Sequence, residues 1–265
     1  MSQKFNLLNI LLFIKNRERF FILSEKIKKK LICNSFKSIS EEKLKIWIYS
    51  NAIKVEDYCK LIDSDLWNDT KGFSESLTEH SSLKLKGINF HIGGGGAYPL
   101  LYFLTRINKP KVILETGVAA GYSSYAFLQA ISENGQGRLF SSDFPYFRIK
   151  NPEAYIGILV PEFLMKNWEL FIKGDFYNFK EISNFEFDCI DLIHYDSDKS
   201  YQGRQFLLNY FESKIKKETI IIFDDIMDNT HFYDLILSLR RNDWKIFEFE
   251  GKYLGMFSQE SIFLS

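Results

Sequence analysis

Apolar residues in this chain follow two rhythms, and the switch between them lays out its elements. From Ser40 to about Leu66, EEKLKIWIYSNAIKVEDYCKLI places apolar side chains three and four residues apart, which predicts helix. Residues 63–70 predict a connector. Residues 71–90, polar and serine-rich with little periodicity, predict a loop or a mobile lid over a ligand site. YPLLYFLTRI (98–107) returns to helical spacing. Beyond it the apolar residues gather into short runs: Val112–Leu114, RLFSSD (138–143), WELFIKGD (168–175), Ile190–Tyr195 and Ile220–Phe223. Each has the length of a buried strand. NDWKIFEFEGKYLGMFSQ alternates well enough for two strands joined at Glu250-Gly251-Lys252. Strands separated by helical stretches specify an α/β protein on a mostly parallel sheet.

With 265 residues, 46% of them hydrophobic, the chain can bury a sizeable core. The pattern divides it into an N-terminal helical extension and lid (1–90) and an α/β domain (91–265). Lys plus Arg equals Asp plus Glu at 34 each, so nothing global points to nucleic acid. Cys33, Cys59 and Cys189 lie far apart without metal-ligand or redox spacing, which fits a reducing, cytoplasmic compartment. The apolar run LLNILLFI is only eight residues long and ends at Lys15, Arg17 and Arg19, too short to span a bilayer. The following basic cluster, Lys26, Lys28, Lys29 and Lys30, suits a helix packed on the domain or on a second subunit of a homo-oligomer. Peripheral membrane contact through residues 1–31 is the alternative.

The chemistry concentrates where strands end. In KVILETGVAAGYSS the strand stops at Glu115, Gly117 and Gly121 open a turn, and Ser123 is placed to cap the next helix. The spacing Glu-x-Gly-x-x-x-Gly departs from the Gly-x-Gly-x-x-Gly of dinucleotide sites. An acid there would repel a pyrophosphate but suits a cationic ligand such as S-adenosylmethionine. Gly93 to Gly96 form either a close backbone approach to a ligand or a hinge. Asp143, ending the second strand, is placed to accept from ribose hydroxyls, against a plainer role as a cap or loop acid. Asp175, after the third strand, either accepts from an adenine amine or forms a local turn. The runs Ile190–Tyr195 and Ile220–Phe223 end in Asp196, Asp198, Lys199 and Tyr201, and in Asp224-Asp225. Ligands of an open parallel sheet bind beyond the carboxyl ends of its strands, so these acids share an edge with Glu115 and Asp143. Carboxylates converging there call for a cation, and oxygen donors suit Mg²⁺, Mn²⁺ or Ca²⁺. His194 reads as a packed core histidine, and His231 as a weak candidate for substrate contact.

ETGVAAGYSS, HYDSDKSY and IIIFDDI together resemble class I S-adenosylmethionine-dependent methyltransferases, in order and spacing over about Ile92 to Phe257. The second and third resemble the Asp-Ser-Asp-His-Ser-Tyr and Asp-Asp patterns of a group acting in glycan and natural-product pathways, related to catechol O-methyltransferase-like enzymes. The resemblance implies a Rossmann-like, seven-stranded, mostly parallel sheet with helices on both faces and a C-terminal antiparallel hairpin. It implies cofactor contacts from Glu115, Gly117, Gly121, Ser123, Asp143, Asp175 and Asp196, and metal ligation by Asp196, Asp224 and Asp225. The implied reaction is methylation of a hydroxyl on a small-molecule or glycan acceptor. Lys199 stands where that group has His, and catechol O-methyltransferase-like enzymes use a lysine at this spacing as general base. Lys199 or Asp198 is therefore the expected proton acceptor; the opposing reading pairs Lys199 with Asp198 and loses the metal chemistry. A fold-retaining scaffold without turnover and an NAD-dependent oxidoreductase are the rival functions.

Overall fold

Alternating strand and helix patterns become a single eight-stranded sheet in the computed structural model, which describes residues 11, 15–32, 38–94, 96–146, 149–240 and 242–258. The strands are β1 (Ala52–Lys54), β2 (Val112–Thr116), β3 (Arg138–Ser142), β4 (Trp168–Phe171), β5 (Ile190–Tyr195), β6 (Ile215–Phe223), β7 (Trp244–Phe249) and β8 (Lys252–Phe257). Their order is β1-β7-β8-β6-β5-β2-β3-β4, and β8 alone runs against the rest. The β7–β8 hairpin turns at Glu250 and Gly251, both left-handed, as a two-residue turn between twisted strands requires.

Helices α1 (Arg17–Ile32), α2 (Glu41–Asn51), α3 (Val55–Ile62), α4 (Ser64–Lys84), α5 (Tyr98–Asn108), α6 (Tyr122–Asn134), α7 (Asp175–Ile182), α8 (Tyr201–Tyr210) and α9 (His231–Ser238) account for most of the remaining regular structure. Successive strand residues feed opposite faces, so the sheet separates two cores. Ile113, Leu192 and Ile222 pack with Phe103 and Phe127 of α5 and α6. Leu114, Ile193 and Ile221 pack with Phe179 and Leu207 of α7 and α8. Both faces being covered is why these strands read as continuous apolar runs. The chain builds β2, β3 and β4 outward on one side, then returns to place β5 and β6 on the other. That reversal opens a crevice at the carboxyl ends of β2 and β5.

Three expectations are corrected. The helix expected over 40–66 is interrupted, because Ala52–Lys54 leave it to pair with Ile246–Glu248 of the otherwise open edge of β7. This adds an eighth strand to the seven expected. Residues 63–70 are no connector: Asp63 caps α4 by accepting from the N–H groups of Asp65 and Leu66 at 3.1 and 2.9 Å. Residues 71–84 are helix rather than loop. The hydroxyls of Thr70, Ser74, Ser76 and Thr78 each donate to the carbonyl four residues back, at 2.8 to 3.0 Å, so the polar residues are satisfied within the helix. Its packing is carried by few residues: Trp67 and Leu77 are buried, and Phe73 stacks on Tyr102 at 4.5 Å.

No helix among the described residues is long and apolar enough to cross a membrane. Apart from Leu11, the run LLNILLFI lies outside the described residues, as do the side chains of Lys26, Lys28, Lys29 and Lys30.

Candidate active site

The turn after β2 is shaped by close chain crossings. Gly117 has φ 84°, and a Cβ on it would lie 2.7 Å from the backbone carbonyl of Asp196. Gly121, with φ 97°, caps α6 where a Cβ would meet Gly157 Cα at 2.9 Å. The helix starts at Tyr122 without a side-chain cap, so Ser123 does not cap it. Instead the Ser123, Ser124 and Ser141 hydroxyls donate to the Glu115 carboxylate at 2.5, 2.6 and 2.7 Å. Glu115 is fully buried behind the turn and does not line the cavity. Burial pushes its carboxyl up to about 7 against the pull of the three hydroxyls. A folded-state value above the unfolded 4.5 means the native state binds this proton more tightly. Its stabilising effect is therefore complete below about 4.5 and lost as pH rises through about 7. Glu115→Gln is expected to flatten the fall in melting temperature between pH 5 and 8, removing a penalty on the order of 3 kcal/mol at the alkaline end. Melting curves that keep the same pH slope in the variant would contradict this.

A cavity of about 780 Å³ opens beyond the turn, within the range of small-molecule sites. Its walls include the backbone of residues 117–120, Ser123, Asp143, Asp175, Asp196 and Lys199. Asp143 Oδ2 accepts from the N–H groups of Val118 and Ala119 at 3.1 and 2.8 Å, tying the end of β3 to the turn. Asp175 accepts from the Ser142 and Ser197 hydroxyls, both at 2.6 Å. Asn178, which the sequence did not single out, donates its amide to Ser142 Oγ and to the carbonyls of Asp143 and Phe171. Nothing in its spacing marks it; only the fold brings these acceptors together.

The cover on this cavity comes from α1, not from residues 71–90. Phe21, Ile22 and Leu23 line it, whereas no residue from 71 to 90 does. Ile22 is buried over Gly174, and Phe21 lies 5.6 Å from Phe176. Burying an apolar side chain of this size is worth about 1.5–3 kcal/mol. Ile22→Asp is expected to weaken S-adenosylhomocysteine binding about tenfold or more by calorimetric titration; unchanged affinity would remove α1 from the site.

Across the crevice, three carboxylates converge. The N–H of Asp196 donates to the carbonyl of Thr116 at 2.9 Å, which fixes the end of β5 beside β2. The N–H of Asp224 donates to the carbonyl of Tyr195 at 3.0 Å, and Asp225 takes a left-handed φ of 47°. The fully buried Arg204 holds this corner, donating from Nη2 to the carbonyls of Asp224 and Asp225 at 2.7 and 2.9 Å. Arg204 was not singled out either, since its role depends on backbone carbonyls that no side-chain motif records. One oxygen from each of Asp196, Asp224 and Asp225 lies within 4.8 Å of the others. Lys199 Nζ hydrogen-bonds Asp225 Oδ2 and lies 3.0 Å from Asp196 Oδ1. The expected alternative partner, Asp198, instead accepts from the Ser200 N–H at 3.1 Å.

Asp224 is buried with neither carboxylate oxygen hydrogen-bonded, and burial, reinforced by Asp196 and Asp225, pushes it up to about 7. Burial also raises Asp196, against Lys199. For Lys199, burial pulls the ammonium down, but Asp196, Asp225 and Asp224 together outweigh it and hold the proton on. Three hard oxygen donors, one of them a buried carboxylate without partners, fit a divalent cation. His194 is buried, packs 5.9 Å from Phe127 and lines the cavity floor. His231 is buried against Tyr201 and Phe223 and does not line the cavity, which removes it from the substrate-contact candidates.

Residues 114–226 match a protein-family model described as a methyltransferase domain. A sequence search of curated proteins returns no match. Among solved structures, the chain is similar to the O-methyltransferase TomG from Streptomyces achromogenes, involved in tomaymycin synthesis and solved with S-adenosylmethionine. Identity is 12% over 70% of this chain and 90% of that one, with a TM-score of 0.51. It is similar to a methyltransferase from Geobacter sulfurreducens at 19% identity, over 70% of this chain and 89% of that one, also at 0.51. The matched segment runs from β2 to just beyond Asp225 and so contains the glycine turn and all three carboxylates. With the sheet order described above, these residues form a methyltransferase domain with the fold of class I S-adenosylmethionine-dependent methyltransferases.

Proposed function

We propose that the protein transfers the methyl group of S-adenosylmethionine to a hydroxyl oxygen of a small-molecule or sugar acceptor, assisted by a divalent cation on Asp196, Asp224 and Asp225. The observation that carries this reading is the grouping of those three carboxylates within 4.8 Å of one another, with Asp196 lining the cavity that the β2 turn walls. S-adenosylmethionine supplies an electrophilic methyl on a sulfonium; Mg²⁺ or a similar ion would supply Lewis-acid stabilisation of the acceptor oxygen. The rest falls to the chain. The glycine turn lets the chain cross closely beside β5 and leaves the first turn of α6, from Tyr122, open at its N-terminus, while Asp143 and Asp175 supply acceptors for the hydroxyl and amine edges of the nucleoside. Glu115 acts from behind, holding Ser123 and Ser124 of α6 to Ser141 of β3. Lys199 accepts the hydroxyl proton as the oxygen–methyl bond forms and the sulfonium bond breaks. Only a neutral amine can do this, and the carboxylates around Lys199 keep it charged. A cation bound to the same carboxylates would remove that hold.

Involvement of O-methyl acceptors is supported by the similarity to TomG, whose name states O-methyl transfer. A second reading, a fold-retaining protein without turnover, is favoured by one observation: the Lys199 ammonium already pairs with both Asp196 and Asp225. Release of S-adenosylhomocysteine from a panel of hydroxylated acceptors, with Mg²⁺ and with EDTA, separates the two. Turnover lost in EDTA and restored by Mg²⁺ supports the proposal. Tight S-adenosylhomocysteine binding with no turnover in either buffer supports the scaffold.

A further inference from the structure

Two fully buried polar side chains, His194 on the cavity wall and Asp224 behind it, lack partners for all their polar atoms. Both oxygens of Asp224 and both ring nitrogens of His194 are without hydrogen bonds. Leaving such a group unsatisfied costs about 1–3 kcal/mol, so a pair of them side by side calls for an explanation. Strand register shows how they come together. His194 of β5 pairs with Ile222 of β6, and Asp224 lies two residues further along, on the same face of the sheet. Strands about 4.8 Å apart and a rise of about 6.6 Å over two residues put such same-face neighbours roughly 8 Å apart at Cα, close enough for their side chains to meet directly or through one water. His194 also lies two residues before Asp196, so it shares a face with that carboxylate as well. Above them, the glycine loop approaches closely enough that a Cβ on Gly96 would be 3.5 Å from Asp224 Oδ2.

We propose that His194 is the positioning partner of Asp224, donating a ring N–H to one carboxylate oxygen, directly or through one water, so that the other faces Asp196 and Asp225. The inference rests on the divalent-cation reading above and adds to it a residue outside the ligand set. An imidazole in either protonation state carries at least one N–H, so the role needs no particular charge. Partners of this kind fix the orientation of a ligating group, and their loss typically costs about 10–100-fold in metal affinity. A merely packed histidine would be replaceable by Phe, since its other neighbour is the apolar ring of Phe127.

The test is Mn²⁺ binding to the full chain, followed by loss of the free-ion electron paramagnetic resonance signal. Wild type is compared with Asp224→Asn, His194→Phe and His194→Gln. Wild type should bind and Asp224→Asn should not. His194→Phe should bind about 10–100-fold more weakly, and His194→Gln, whose amide can still donate, should stay within about threefold of wild type. If wild type and His194→Phe bind Mn²⁺ equally, the positioning role is overturned while the cation reading stands. If wild type does not bind, the cation reading fails and takes this inference with it. Should His194→Phe fail to fold, the ring N–H of His194 in the wild-type ¹⁵N spectrum decides. Protection from exchange on saturation with Mg²⁺ supports the role, and an unchanged signal overturns it.

Discussion

Asp224→Asn is expected to abolish cation-stimulated turnover and, at the same time, to raise the melting temperature of the metal-free protein. The two effects have one cause. Asp224 sits at the end of β6 with 1% of its surface exposed and no hydrogen bond to either oxygen, facing two further carboxylates. Without a cation, burial and like charge both oppose its ionised form, which is why its carboxyl is pushed up to about 7. The neutral amide removes that penalty at pH 8 and should gain a few degrees in melting temperature. It also removes a hard anionic donor from the only set of three metal-capable acids found among the described residues. Lewis-acid assistance is worth several kcal/mol, so the turnover lost is roughly 10²–10⁴-fold. Differential scanning fluorimetry and an S-adenosylhomocysteine release assay read the two halves separately. A variant that melts lower in EDTA and still turns over with Mg²⁺ would show that Asp224 is a structural acid and would end the cation reading.

The site was legible where chemistry follows directly from strand ends. Asp196, Asp224 and Asp225 stand at the ends of apolar runs, and a parallel sheet brings such ends to one edge whatever the details of packing. The β7–β8 hairpin was legible for the same reason, because Glu250-Gly251 admits few other turns. What did not follow from the sequence depends on backbone or on shape. Glu115 reads as a ligand contact only if its side chain faces outward. The fold turns it inward, and Ser123, Ser124 and Ser141 (spread over 19 residues) gather on it instead. Arg204 and Asn178 act on main-chain carbonyls, which every sequence contains and none advertises. Residues 71–84 concealed a helix because its serines and threonines bond back to its own carbonyls, erasing the contrast between loop and helix. The cover over the cavity came from α1 because Phe21 meets the ring of Phe176 and Ile22 packs over Gly174, a match of surfaces rather than of spacing.

Lys199→Met should lower turnover by about 10²–10⁴-fold while tightening Mn²⁺ binding. The opposed signs follow from the geometry. Lys199 Nζ bonds Asp225 Oδ2 and lies 3.0 Å from Asp196 Oδ1, two of the carboxylates that would hold the ion. Ammonium and metal therefore compete for the same charge, and a residue that cannot be cationic leaves all three acids to the metal. The same substitution deletes the only amine lying against that cluster among the described residues, and with it the expected acceptor of the hydroxyl proton. Lys199→Arg divides the two roles. It keeps a cation beside the acids but does not give up a proton near neutral pH, so it should lose turnover without gaining metal affinity. Wild-type kcat should rise with pH as the amine becomes neutral, and this limb should vanish in both variants. Calorimetric Mn²⁺ titration and pH–rate profiles of the three proteins test the argument. Full turnover in Lys199→Met would move the base elsewhere, with Asp198, which also lines the cavity, the first residue to examine.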